Sequence, residues 1–194
     1  MGKIKIARAT KKDDLKQIAE LIYLTDVYIY PYWFNTIENA INELTEIVES
    51  EDTIYSYKNC VVAKADNKIV GVIVFFDDGS NIDNDYSKWN KSFNADYTIK
   101  NYIKPLIDEC KKFKFVSIPN VAVLPEYRRC GIATKMFEKV FSLYKNKPFV
   151  LEVLEENVPA LKLYQKLGFK IDKEYNGFNG KGLPQPKVME MKKD

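Results

Sequence analysis

Histidine is missing altogether from these 194 residues. Its absence removes histidine-based triads, Cys–His dyads and His-ligated zinc from consideration. Cysteine is scarce: the three residues Cys60, Cys110 and Cys130 stand far apart and match no CxxC spacing. An odd, dispersed set suits a reducing compartment better than a disulfide framework. Long apolar runs are lacking too. No stretch approaches a membrane span, and the opening "MGKIKIARAT" alternates Lys and Ile where a signal peptide would carry an uninterrupted apolar region. The chain therefore reads as cytoplasmic, without a membrane partner. Charge of one sign is not in strong excess either: 30 Lys and Arg oppose 27 Asp and Glu, a formal net charge of +3. That is too mild to argue for nucleic acid. Proton transfer is left to carboxylates, Tyr, Lys, Cys, a free amine or water.

The length suggests one domain, residues 1–194, large enough for a real core. "IKIARAT" alternates like a strand. Thr10 and Asp13 form a candidate capping box before Leu15, Ile18, Ala19 and Ile22, which share one helical face. A second helix is predicted from about Thr36, with Ile37, Ala40, Ile41, Leu44, Ile47 and Val48 at helical spacing. In "YIYPYWF" between them, Pro31 should break any helix. Two strands joined at Asp66–Asn67 follow. Residues 77 to 112 read as an insert: a polar loop, then a helix disturbed by Pro105 with Leu106, Ile107 and Cys110 inward. "NIDND" in that loop has the alternating oxygens of a calcium site, but Tyr86 and Ser92 stand where the glycine and the bidentate glutamate belong. A solvated loop is the better reading. "FKFVSIPNVAV" is a central strand in which Pro119 removes a ladder donor and predicts a bulge or splay. A helix after Gly131, the strand "PFVLEVL", a helix from Asn157 to about Gly168 and two final strands complete a mixed α/β pattern.

Two stretches carry chemistry. In "VLPEYRRCGIATKMF" a strand runs into a helix start, whose N–H groups lack intrahelical partners and whose dipole end is positive. Such a turn presents several N–H groups to one anion. Gly131 admits a close backbone approach, Arg128 supplies a planar fork for phosphate oxygens, and Arg129 or Lys135 adds charge. Ala133 is small enough to keep the helix near a ligand. A surface turn with a solvated arginine pair is the plain alternative. The pattern is neither a Walker loop nor the dinucleotide fingerprint. In "LEVLEENVPALKLYQKLGF", Asn157 occupies an N-cap position, and Tyr164 lies about two turns on, roughly 10 Å along the same face. Taken singly, Asn157 is a cap and Tyr164 a core edge.

Together and in this order, "NVAVLPEYRRCGIATKMF" and "NVPALKLYQKLGF" resemble the acyl-CoA motif and the following motif of the GCN5-related N-acetyltransferase (GNAT) family. The resemblance covers most of the chain. It implies the acyl-CoA N-acyltransferase fold: a twisted, mostly antiparallel sheet splayed at the cofactor strand and flanked by helices. It implies acetyl-CoA as cofactor, with Val121, Ala122 and Val123 pairing with the pantetheine arm. Arg128, Arg129 and Cys130 would surround the pyrophosphate with Gly131, Ile132, Ala133 and Thr134. Asn157 would contact the cofactor and Tyr164 would stand near its sulfur. Cys130 and Ala133 depart from commoner residues, and both are small.

The implied reaction is direct acetyl transfer from a thioester to a primary amine. A backbone N–H near Val121 or Val123 would stabilise the oxyanion, about 3 kcal/mol when preorganised, and Tyr164 could protonate the leaving thiolate. For the base, Glu152 alternates opposite Phe149, Leu151 and Val153. It also matches a glutamate proposed as base in family members that acetylate protein N-termini. An edge carboxylate, a pocket-lining residue or ordered water are the alternatives. In the family the segment between the first two helices walls the acceptor pocket. Tyr28, Tyr30, Tyr32 and Trp33 are thus candidate substrate contacts, able to hold a cationic amine; core packing or a homodimer surface would also explain them. The expected acceptor is a small-molecule amine. A protein N-terminus or lysine, or an acyl-CoA sensor without turnover, are the competing readings.

Overall fold

A computed structural model describes residues 3–26, 28–34, 36–80, 82, 99–177 and 186–194. Alternation builds strand β1 (Ile4–Arg8), which pairs antiparallel with β2 (Cys60–Ala65). β2 turns back into β3 (Lys68–Phe76) through Asp66, whose φ of 53° is the left-handed conformation a tight connection needs. The unbroken apolar run of β3 is buried on both faces, as a central strand requires. With β4 (Val116–Val123), β5 (Phe149–Leu154), β6 (Lys170–Asn176) and β7 (Lys187–Lys193), these strands make one seven-stranded sheet in the order β1-β2-β3-β4-β5-β7-β6. All neighbours run antiparallel except β4 and β5.

Helices cover both faces. On one side lie α1 (Leu15–Tyr23), α2 (Ile29–Trp33), α3 (Ile37–Glu49) and α4 (Lys104–Phe113), with Ile18, Leu44 and Ile107 packed against Val62, Val72 and Val74. On the other lie α5 (Ile132–Leu143) and α6 (Val158–Lys166), where Met136, Phe137 and Val140 pack on Val61, Ile73 and Ile118. The predicted mixed α/β order is observed.

Three local readings need correction. The cap of α1 is Asp14, which accepts from Gln17 N at 3.1 Å, while Thr10 and Asp13 bond each other in the preceding turn. Pro31 does not break the segment around it. It is the third residue of α2, where a backbone N–H would have no intrahelical acceptor, so its loss costs nothing there. The helical spacing read for Ile37 to Val48 holds in α3, with Ile37, in its first turn, exposed. Pro105 sits at the start of α4, after a π turn at Ile99–Ile103, and so opens that helix instead of interrupting it. The "NIDND" stretch and the glycine-rich loop after Gly177 lie outside the described residues, apart from Ile82 and Pro186.

Phe137 is fully buried and meets the rings of Phe141, Tyr164 and Phe169 at centroid distances of 5.7, 5.6 and 6.0 Å. Phe137→Ala should destabilise the fold by about 3–5 kcal/mol, measured by urea unfolding. A loss under about 1 kcal/mol would mean that this cluster is not packed as described.

Candidate active site

The parallel pairing of β4 and β5 runs only through Val116↔Phe149, Ser117↔Val150 and Ile118↔Leu151. Pro119 then offers no N–H. Between the pairs Val74↔Asn120 and Phe76↔Ser117, one residue of β3, Phe75, stands against two of β4, Ile118 and Pro119, which places a bulge there. β4 and β5 part beyond that point. The wedge opens into a cavity of about 430 Å³, walled by Val121, Glu152, Asn157 and Tyr164 and, across from them, by Tyr28, Tyr30 and Trp33. The splay that Pro119 predicts is observed.

At the far end of β4, Arg128 is extended, and Arg129 and Gly131 have φ of 64° and 72°. Glycine reaches that region without penalty; an arginine there is uncommon. Gly131 is the N-cap of α5, and no side chain among the described residues caps this end. A Cβ at Gly131 would meet nothing within 4 Å, so the space before the helix is open and the glycine answers to backbone conformation rather than crowding. Arg128 donates from Nε to Val123 O at 3.0 Å, laying its guanidinium over the end of β4. Arg128, Arg129, Cys130 and Gly131 are exposed; buried Ile132 anchors the turn, and Ala133 and Thr134 are half-buried. An uncapped helix start, two arginines and open space fit a diphosphate. The residues of β4 beyond Pro119, lacking a β5 partner, fit an extended amide-bearing arm beside them.

Asn157 is the N-cap of α6 and accepts from Ala160 N at 3.3 Å through Oδ1. Tyr164, two turns on, is buried with its ring edge-on to Phe137. Burial alone raises its hydroxyl well above the ordinary phenol value, and among the described residues no hydrogen bond to that hydroxyl is found. It therefore keeps its proton at any physiological pH.

Glu152 is reached by water yet set deep between sheet and helices, and burial pushes its carboxyl above the usual range. The Tyr175 hydroxyl donates to Glu152 Oε1 and works the other way, while Glu190 and Glu109 add to the rise. Glu190 stands directly across from Glu152 on β7. Lys173, on β6, reaches Glu190 at 2.9 Å and Glu109 at 3.5 Å. Tyr175, Glu190 and Glu109 line the cavity and escaped the sequence reading. Alternation within "FKIDKEY" and "KVMEMKK" places Tyr175 and Glu190 each on a face, and Glu109 lies on α4; only the pairing of β7 with both β6 and β5 says which faces coincide.

In the aromatic segment, Tyr28 donates to Glu156 Oε1 at 2.8 Å, and Asp26 Oδ1 accepts from Tyr28 N and Ile29 N at 2.8 and 2.7 Å where the chain enters α2. Burial raises the Asp26 carboxyl. Tyr30 and Trp33 are buried, 5.3 Å apart and edge-on, and serve the core as well as the cavity wall. Tyr32 packs half-buried on that core and is not among the lining residues. Asn120, another residue that pattern reading misses, donates from Nδ2 to Thr25 Oγ1 at 2.7 Å and Tyr30 Oη at 3.1 Å. Cys60 and Cys110 are buried, with thiols pushed up to about 12, and are no nucleophiles.

The sequence profile described as "Acetyltransferase (GNAT) family" matches residues 27–169. An N-alpha-acetyltransferase of Saccharolobus solfataricus is 32% identical over 90% of this chain and 86% of its own. Another of that name, from Sulfurisphaera tokodaii, is 30% identical over 87% and 82%. Among solved structures, an N-acetyltransferase from Staphylococcus aureus Mu50 superposes with a TM-score of 0.70 at 22% identity, covering 97% of this chain and 99% of that one. No helix among the described residues is long and apolar enough to cross a membrane. With its splayed sheet and open helix start, the chain belongs to the GNAT family and is an acetyl-CoA-dependent N-acetyltransferase.

Proposed function

We propose that the acceptor is the N-terminal amine of a polypeptide. The observation that carries this is the identity of 32% and 30%, over most of both chains, to two proteins named N-alpha-acetyltransferase. A small-molecule amine is the second reading, favoured by the aromatic wall of Tyr28, Tyr30 and Trp33, whose ring faces suit a compact cation. The whole chain serves as one acetyltransferase domain: β1 and β7, from opposite ends, join one sheet, and residues 77–112 form an insert whose helix α4 covers the acceptor side.

Bound acetyl-CoA supplies an acetyl group activated as a thioester. Arg128, Arg129 and the N–H groups of residues 130–134 hold its diphosphate, and Val121 to Val123 offer main-chain groups to its arm. A main-chain N–H of Val121 or Val123 steadies negative charge on the reacting carbonyl oxygen. Asn157, its Oδ1 engaged in the cap, keeps Nδ2 for the cofactor. Tyr164 donates its phenolic proton to the departing sulfur or orients it. The acceptor amine must reach the thioester neutral. Glu152, directly or through one water, takes its proton, and Tyr175 holds that carboxylate in place.

Peptides offered with acetyl-CoA should gain one acetyl group on the α-amine, located by mass spectrometry after fragmentation. Acetylation confined to free small amines would replace the polypeptide reading with the second one. Arg128→Ala combined with Gly131→Glu should weaken acetyl-CoA binding by about 100-fold or more, since it removes one charge-assisted contact and adds a repelling charge. Calorimetry measures the loss and circular dichroism checks the fold; unchanged affinity would move the diphosphate elsewhere. Because the folded carboxyl of Glu152 loses its proton only above the ordinary carboxylate range, kcat/KM should rise with pH through that raised pKa. Glu152→Gln should remove this rising limb, and an unaltered profile would leave proton removal to another group.

A further inference from the structure

A row of charged side chains crosses the last three strands of the sheet. Lys173 of β6 stands opposite Glu190 of β7, and Glu190 stands opposite Glu152 of β5. Residues directly opposed on neighbouring strands share a face, so the signs along the row run plus, minus, minus. The Lys173 ammonium lies 2.9 Å from Glu190 Oε1 and 3.5 Å from Glu109 Oε1 on α4. Glu152 and Glu190 form an acidic floor to the cavity, which Glu109 joins; Lys173, exposed on β6, does not line it. Lys173 therefore reaches the site only through its partners.

Glu190 is buried beside Glu152. A carboxylate in so dry a place opposes ionisation of its neighbour, because little water screens the two charges. Among the described residues, Glu152 is faced by Tyr175 and Lys173 from β6, Glu190 from β7 and Glu109 from α4. Elsewhere on the cavity wall stand Asp26, Tyr28, Tyr30, Tyr55, Tyr102 and Tyr164. Burial first, then Glu190 and Glu109, favours the protonated form of Glu152; the Tyr175 hydrogen bond and then Lys173 favour the carboxylate. A base must be strong enough to take a proton and yet stand free at working pH. Burial serves the first demand, and the pairing of Lys173 with Glu190 serves the second.

Resting on the reading of Glu152 as the group that takes the acceptor's proton, we infer that Lys173 is a positioning residue for that step. It acts through Glu190, cancelling the charge beside Glu152 so that Glu152 stands ready as a carboxylate. The acceptor amine's proton then passes to Glu152 while the nitrogen lone pair attacks the thioester carbonyl.

Variants of the full chain test this by the sign of their effects. One readout is the titration of the Glu152 carboxyl, followed by NMR of the side-chain carboxyl carbons and assigned by the signal missing from Glu152→Gln. The other is the pH dependence of kcat/KM with acetyl-CoA and either a peptide or an amine as acceptor. Lys173→Met should raise the Glu152 midpoint by about half a pH unit or more, and below that midpoint kcat/KM should fall by about 3-fold or more to match. Lys173→Arg keeps the charge and should hold the midpoint in place. Adding Glu190→Gln to Lys173→Met should bring the midpoint back down, since the charge that Lys173 cancels is then gone. Thermal melting checks that each variant folds, and Lys173→Gln replaces Lys173→Met if that one does not. A midpoint unmoved by loss of the Lys173 charge, or raised equally in Lys173→Arg, would overturn the inference while leaving Glu152 as base. A midpoint that moves as stated while the rate profile stays put would overturn the reading of Glu152 as base, and with it the part of Lys173 in proton removal.

Discussion

Everything chemical in this molecule depends on two neighbouring strands that begin as partners and then separate. Three register pairs hold β4 to β5, and past them Pro119 has nothing to donate and a bulge turns the strand aside. A sheet normally meets all its own backbone groups. Here a stretch in the middle of the sheet, not at its edge, is left short of a partner while β3 keeps it fixed on the other side. A ligand that completes the ladder therefore meets a rigid template.

Charge is divided along the same axis. The outer end of β4 delivers two exposed arginines to an uncapped helix start, and the far side of the wedge collects carboxylates. Basic and acidic groups thus stand at opposite ends of one opening. The arrangement is costly to the fold. Like charges opposed on neighbouring strands destabilise a sheet by several tenths of a kcal/mol to about 1 kcal/mol, and Lys173 offsets only part of that from the rim.

Much of this was legible in the residues. Periodicity of two and of 3.6 located the helices and strands, Pro119 announced the splay, and the spacing of Asn157 and Tyr164 put both on one wall. Misreadings came where local chemistry had two solutions. Asp14 competed with Thr10 for the same cap, and Pro31 was tolerated because α2 is so short that its third residue is still in the first turn. The acceptor side was least legible. Whether Tyr175 and Glu190 meet Glu152 depends on β7 inserting between β5 and β6, a long-range pairing that no window of sequence contains. Asn120 escaped notice because a single amide in an apolar strand has no periodic signature.

That insertion of β7 also orders events in time. Every element of the cofactor wedge except β5 and α6 has been synthesised by residue 143, whereas the acidic floor exists only once residues 187–193 slide between two strands made earlier. The β6–β7 hairpin must pair its second strand with β5, a contact made across a longer stretch of chain than the hairpin itself. A nascent chain can therefore complete the uncapped helix start of α5 well before it completes the acidic floor beside β5.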